Sequence, residues 1–404
     1  MQIQPILSAL KKHKLATILI TLEIALACAV LCNATSMIAT RLSAMSIVSG
    51  VDEASLGVIA VTGFEPERAD DVNARMVSGL GKVPGVESVH VISTVPFGTP
   101  WGAAGITLDR KTYPAVVGVY EGDPGTPKAL GLKLVAGHWP VAGDYQSQPE
   151  HGWLPASSRV LVTRALANKL WPGAPAVGKV FWQGESRCRV VGVVANLAMA
   201  HPRHWGNRAP GWSVFLPAQP GGRLAGTYLI RADPQDLERV MVAARAKVRN
   251  IAPGVVLDHD ASHTIGYLRD RFFKADRAMA GLLVGVIVAL LGVTALGIVG
   301  LASFWVSQRR KQIGVRRALG ATRGDILRYF QTENFLIVTF GVALGIVLAL
   351  GINLVLMNVF EVALVPFWYL PVAAVVLWIL GQLAVLAPAL RASNVPPVVA
   401  TRSA

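Results

Sequence analysis

Polar and apolar positions divide this chain into long uncharged runs and one mixed stretch. Residues 278–308, 334–360 and 362–390 carry no Asp, Glu, Lys, Arg or His, over 31, 27 and 29 positions. A helix crosses a bilayer with about 20 apolar residues. Each run is therefore long enough for one crossing and too short for two. Leu15 to Thr40 is also apolar, interrupted only by Glu23. The pattern predicts four transmembrane helices, at 15–40, 278–308, 334–360 and 366–388, arranged one plus three around residues 41–277. Cleavable signal cores run about 7–15 residues. The first run exceeds that and lacks a clean small-x-small exit, and Ala25-Leu26-Ala27 before Cys28 is a poor lipobox. An uncleaved helix is expected.

The mixed stretch has room for one or two folded domains, and its two ends look alike. Gly57–Thr62 reads as a strand, Glu67–Gly81 as an amphipathic helix and Val86–Ser93 as a second strand. Gly226–Arg231, Pro234–Asn250 and Val255–Asp260 repeat that order. Pro84-Gly85-Val86 and Pro253-Gly254-Val255 supply the breakers that a helix-to-strand turn needs. Two β-α-β units, within 41–96 and 226–277, are predicted to close into a split β-α-β sandwich. Residues 97–225, rich in Gly, Pro and Trp and with short strands such as Arg189–Val194, read as a mostly β insert. The expected fold class is thus membrane α-helical, four helices in a 1+3 order, with a large α+β domain between helices one and two.

Composition sharpens this picture. With 53% hydrophobic and 15% charged residues and a mean hydropathy of +0.48, the chain departs from soluble domains, which carry about 25% charge. It is also far too apolar for a disordered chain. The net charge of +14 would suit nucleic acid, but its placement argues otherwise. Lys11, Lys12 and Lys14 precede the first span. Arg309, Arg310, Lys311, Arg316, Arg317, Arg323 and Arg328 face Asp325 alone in the second short loop, and the tail adds Arg391 and Arg402. The loop between spans three and four holds Glu361 and no base. Positive short loops stay cytoplasmic. Both ends (1–14 and 389–404) and segment 309–333 are therefore predicted inside, and 41–277, with 26 basic and 20 acidic residues, outside. The basicity is a topology signal, and no nucleic-acid partner is expected.

Candidate chemistry is sparse. Gly173-Ala174-Pro175-Ala176-Val177-Gly178-Lys179-Val180 nearly spells a P-loop, but valine stands where a magnesium-binding hydroxyl is needed; a turn is the better reading. His201 and His204, or His259 and His263, do not complete a metal-ligand set, and loop histidines are favoured. Neither a nucleophile elbow nor a carboxylate pair is evident, so no catalytic residue, cofactor or metal is assigned. Cys28, Cys32 and Cys188 read as buried thiols. Glu23 is costly in a span, about 2.5–3.5 kcal/mol on the insertion scale. It reads either as a proton or substrate contact or, preferred, as a polar clamp to a neighbouring helix, for instance through Gln382. Gly281-x-x-x-Gly285 and Gly341-x-x-x-Gly345 allow close helix approach. In the 309–333 loop, Ile313, Leu319, Ile326, Leu327 and Phe330 alternate with arginines. That pattern predicts an amphipathic helix broken near Gly320, with a snorkelling basic loop as the plainer alternative.

That loop carries a resemblance. Arg309-Arg310-Lys311-Gln312-Ile313-Gly314-Val315-Arg316-Arg317-Ala318-Leu319-Gly320-Ala321, followed by Glu333 entering span three, resembles the signature of the MacB/FtsX-type permeases of ABC transporters. Pro84-Gly85-Val86-Glu87, Val95-Pro96-Phe97, Gly137-His138-Trp139, Val162 to Ala167 with Trp171-Pro172-Gly173, Val190 to Val194 and Pro388-Ala389-Leu390-Arg391-Ala392 are similar to other motifs of that family. Gln312 departs from its usual acid, Glu23 takes a place usually apolar or Gly, and the ATPase fused to MacB itself is absent. The resemblance implies a non-enzymatic inner-membrane subunit that dimerises with a second copy or paralogue and docks a separate ABC ATPase through 309–330. It further implies mechanotransmission for efflux, with a periplasmic adaptor and outer-membrane channel as further partners and membrane lipid around the spans. The alternative is a non-transporting relay that activates a periplasmic partner. On this reading, charge reversal at Arg316 and Arg317 is expected to leave the chain folded and abolish ATPase binding.

Overall fold

The computed structural model describes residues 14–100, 102–147, 154–202, 208–360 and 366–394. Lys11 and Lys12, His204, Glu361, and the tail beyond Asn394 with Pro396, Pro397 and Arg402 lie outside the described residues. The chain divides into two compact units, after Ser43 and before Asp276.

Four helices long and apolar enough to cross a membrane dominate the first unit: α1 (Lys14–Met45), α7 (Lys274–Gln308), α9 (Arg323–Phe360) and α10 (Tyr369–Ser393). One precedes and three follow the α/β unit. Its core is built around α1, whose Ile24, Ala25, Ala27, Cys28, Ala29 and Cys32 are all buried. Small residues let the helices approach, as lipid-facing helices require in the absence of a hydrophobic drive between them. A Cβ on Gly341 would stand 2.7 Å from Ile24 Cγ2, and one on Gly345 only 2.4 Å from Cys28 Cβ. The Gly341/Gly345 notch of α9 is therefore the seat of α1. Gly281 and Gly285 of α7, at the same spacing, meet nothing within 4 Å. Buried amides stitch the bundle: Asn334 Nδ2 donates to the Gly381 carbonyl at 2.8 Å, and Asn33 Nδ2 to those of Ala29 and Ala349 at 3.0 and 3.3 Å.

The second unit contains two sheets. In the first, β1 (Leu56–Thr62), β2 (Val86–Val91), β10 (Thr227–Ala232) and β11 (Val256–Asp258) line up in the order β11-β1-β10-β2, with every pairing antiparallel. This is the order produced when two β-α-β units interlock. The crossing helices are α2 (Ala69–Gly81) and α5 (Leu237–Ile251). Each buries one stripe at helical spacing: Val72, Met76 and Leu80 on one, Val240, Met241, Ala244 and Val248 on the other. A Cβ on Gly57 would lie 2.3 Å from Met241 Sδ, so a larger residue there would have to displace that side chain.

The second sheet comes from the insert: β3 (Ala103–Ile106), β4 (Ala115–Gly122), β5 (Leu134–Gly137), β6 (Ser157–Thr163), β7 (Val180–Gln183), β8 (Ser186–Val194) and β9 (Arg208–Pro217). Its order is β3-β4-β9-β6-β8-β5, with β7 also on β8, and the β4/β9 and β6/β8 pairs are parallel. The short helix α4 (Arg164–Leu170) packs on it, whereas α3 (Thr126–Ala129) lies against β2 and β10 of the first sheet. The near P-loop after α4 is a turn. Gly173 and Gly178 have φ of 71° and 84°, and the Gly178 N–H donates to the Val190 carbonyl at 2.8 Å.

Where the chain enters and leaves this unit, Arg269 on α6 (Ile265–Phe272) gathers both ends. It pairs with Glu53 at 2.6 Å and donates to the Met45 and Ile47 carbonyls at 2.8 and 2.7 Å. Its guanidinium also lies 5.1 Å over the ring of Phe97. Phe97 holds a φ of 64°, uncommon for a bulky residue, with its ring against Phe272 and Phe273.

Candidate coupling site

After α7 the chain turns at Arg309 into α8 (Arg310–Ala318), the short amphipathic helix anticipated in the basic loop. It ends where Gly320 adopts a φ of 98°, a conformation that costs other L-residues about 1–2 kcal/mol. Helix α9 then begins with a reciprocal cap: Asp325 Oδ2 accepts from the Thr322 N–H at 3.0 Å, and Thr322 Oγ1 from the Asp325 N–H at 3.2 Å. That cap went unmarked in the sequence reading, although Thr-x-x-Asp before an apolar run is its signature.

The apolar side of α8 is a small core of its own. Ile313 is buried against Ile326 and Phe330 of α9 and Ala389 and Ala392 of α10, and Gly314 is buried beside it. Three arginines hold the segment in place. Arg309 makes two bonds to Glu333, 3.1 Å to Oε1 and 3.0 Å to Oε2, with side-chain exposures of 12% and 2%. Its guanidinium also lies 5.6 Å from the Trp305 ring. Arg316 stacks 4.9 Å over Tyr329, and Arg317 donates to the Ser393 carbonyl at the end of α10. Arg310, Val315, Ala318 and Leu319 are exposed and Ala321 is half-buried. Leu319 is exposed to 83%.

Arg316 and Arg317 therefore have internal work, which changes what their substitution tests. Charge reversal there would disturb α8 itself, because one guanidinium holds a ring and the other a helix-end carbonyl. The outward surface of the segment includes Val315 with Leu319 on one edge, Arg310 at the start, and the exposed Lys311, Gln312, Arg316 and Ala318.

The expected clamp between Glu23 and Gln382 is not formed. Gln382 Nε2 donates to the Gln331 carbonyl of α9 at 3.4 Å. Glu23 instead lies against α7, where a Cβ on Gly297 would come within 2.7 Å of its Oε2. Gly297 carried no sequence signal, since glycine is common in membrane helices. The histidines are engaged separately. His263 stacks on Tyr267 at 3.9 Å beside Arg245, and His201 stands edge-on to Phe272 at 5.2 Å. Burial, then the charges of Arg245 and Arg271, hold the His263 pKa below its usual value. Among the described residues no three His, Cys, Asp or Glu gather as a cation site. Cys28, Cys32 and Cys188 are buried and free, and burial pushes the Cys188 thiol up to about 12.

Two family models match the chain: the MacB-like periplasmic core domain over residues 17–250 and the FtsX-like permease C-terminal over 284–397. Among curated relatives, the macrolide export ATP-binding/permease protein MacB of Agrobacterium fabrum is 26% identical over 361 residues, 86% of this chain and 51% of that protein. Its counterpart in Chromobacterium violaceum is 29% identical over 238 residues, 56% of this chain and 34% of that one. The chain thus spans from a third to about half the length of these relatives. Among solved structures, the periplasmic region of MacB from Actinobacillus actinomycetemcomitans aligns with 53% of this chain and 92% of its own, at 13% identity and a TM-score of 0.30. The extracellular domain of the transporter YknZ aligns with 51% of this chain and 97% of its own, at 12% identity and 0.31. With the periplasmic core domain matched across more than half of its length and the permease domain across its last three spans, this chain belongs to the MacB/FtsX-type permeases of ABC transporters.

Proposed function

We propose that this permease works by mechanotransmission for export, as an inner-membrane dimer with its α/β unit in the periplasm and both ends in the cytoplasm. ATP hydrolysis takes place on a separate ATPase, which docks on residues 309–333. The observation that carries this reading is the exposed edge of α8. An 83%-exposed Leu319 beside an exposed Val315, on a helix held down by three arginines, is a firm apolar knob awaiting a partner's hollow. Because Arg309, Arg316 and Arg317 tie α8 to α7, α9 and α10, a push on that knob would be passed to the spans. Work is transmitted only if the ATPase contacts two states of the segment differently. In the α/β unit, Arg269 binds the entering chain at Met45 and Ile47 to the leaving helix α6, so both would move together.

Leu319→Asp is the cleanest test, since Leu319 makes no contribution to the small core beneath it. The variant is expected to retain wild-type stability in detergent and to lose co-purification with the ATPase. Undiminished co-purification would contradict docking at this edge.

A further inference from the structure

We propose that Glu23 is a proton-binding site within the membrane, carrying its proton at neutral pH at the contact between α1 and α7. An ionised carboxylate at this depth needs a cation, and the four spans offer none. Residues 15–40, 278–308, 334–360 and 366–390 contain no Lys, Arg or His. A second copy of the chain would bring the same spans and no cation either. The groups around Glu23 can be named element by element. On α1 itself Cys28 Sγ is directed at the Val342 carbonyl of α9, and Cys32 is buried. Helix α7 presents Gly297 and, one turn earlier on the same face, Thr294. On α9, Glu333 is bonded to Arg309. On α10, Gln382 is bonded to α9.

One oxygen of the carboxyl is also buried without a donor. Glu23 Oε1 and Thr294 Oγ1 are both buried and make no hydrogen bond. An anion there would bear an uncompensated desolvation cost at that oxygen, whereas a proton cancels the charge. A small cavity of about 20 Å³, lined by Ile20, Ile298, Trp305, Glu333, Asn334 and Ile337, lies near this contact but is not lined by Glu23. Any motion that parted α1 from α7 and wetted Glu23 would release the proton, and closure would take it up.

The test is covalent and uses the full-length chain in membranes. A lipid-soluble carbodiimide reacts with a protonated carboxyl: the acid O–H adds across one C=N bond, the oxygen joining carbon and the proton going to nitrogen. Rearrangement then gives a stable N-acylurea, with no leaving group and no oxidation. Dicyclohexylcarbodiimide at pH 7 is expected to modify Glu23, located by peptide mass spectrometry as one added reagent, and to leave the ion-paired Glu333 untouched. Glu23→Gln, which imitates the neutral acid, is expected to fold and to lose the label; should it fail to fold, the wild-type map decides alone. Labelling that requires acidification to about pH 4–5, the ordinary range of a glutamate, would overturn the proposal. So would labelling of Glu333 equal to that of Glu23, or no label on Glu23 at any pH.

Discussion

Glu333 lies beneath Arg309 with 2% of its side chain exposed, so each is the other's compensation. Removing one partner of a buried pair leaves a naked charge and costs about 3–5 kcal/mol, whereas replacing both by apolar groups of similar size is often neutral. Glu333→Ala is therefore expected to lower stability by several kcal/mol, and Arg309→Met with Glu333→Leu to restore most of the loss, as thermal unfolding in detergent would read. The presence of an acid at the start of span three was visible in the sequence. Its partner was not, because seven basic residues in the same loop were equal candidates. Glu23 shows the same limit. Its cost in a span was legible from position alone, but the neighbour that receives it depends on how helices are laid side by side. That is why Gln382 was expected and Gly297 was found.

Helices, unlike their contacts, were written plainly in the periodicity. Long apolar runs, three of them uncharged, marked all four apolar helices, and the two matched strand–helix–strand patterns marked α2 and α5 with their strands. Identical spacing hid a difference between the two glycine pairs. Gly341 and Gly345 receive α1, whereas Gly281 and Gly285 have open space before them within the chain. Gly345→Leu is expected to force α1 away from α9 and lower the unfolding temperature of the purified chain by several degrees. Gly281→Leu is expected to leave it unchanged. Equal effects would mean that α1 does not seat on α9 as described. The sheet order of the insert was illegible for a different reason: its pairings join strands far apart in sequence, such as Val116 with Arg208, and no local pattern records them.

For the molecule as a whole, the proposed coupling carries ATP hydrolysis on the docked ATPase through the α8 segment into movement of the α/β unit. Tyr113 is exposed on that unit, and the natural cysteines are buried, so Tyr113→Cys takes a spin label selectively. Pulsed electron resonance then measures the distance between labels on two copies in the reconstituted complex with its ATPase. The account predicts one distance distribution without nucleotide, a displaced one with ATP bound, and no response to ATP when the ATPase is left out. A distribution that ignores nucleotide in the complete, hydrolysing complex, or the absence of any defined pair of copies, would contradict it.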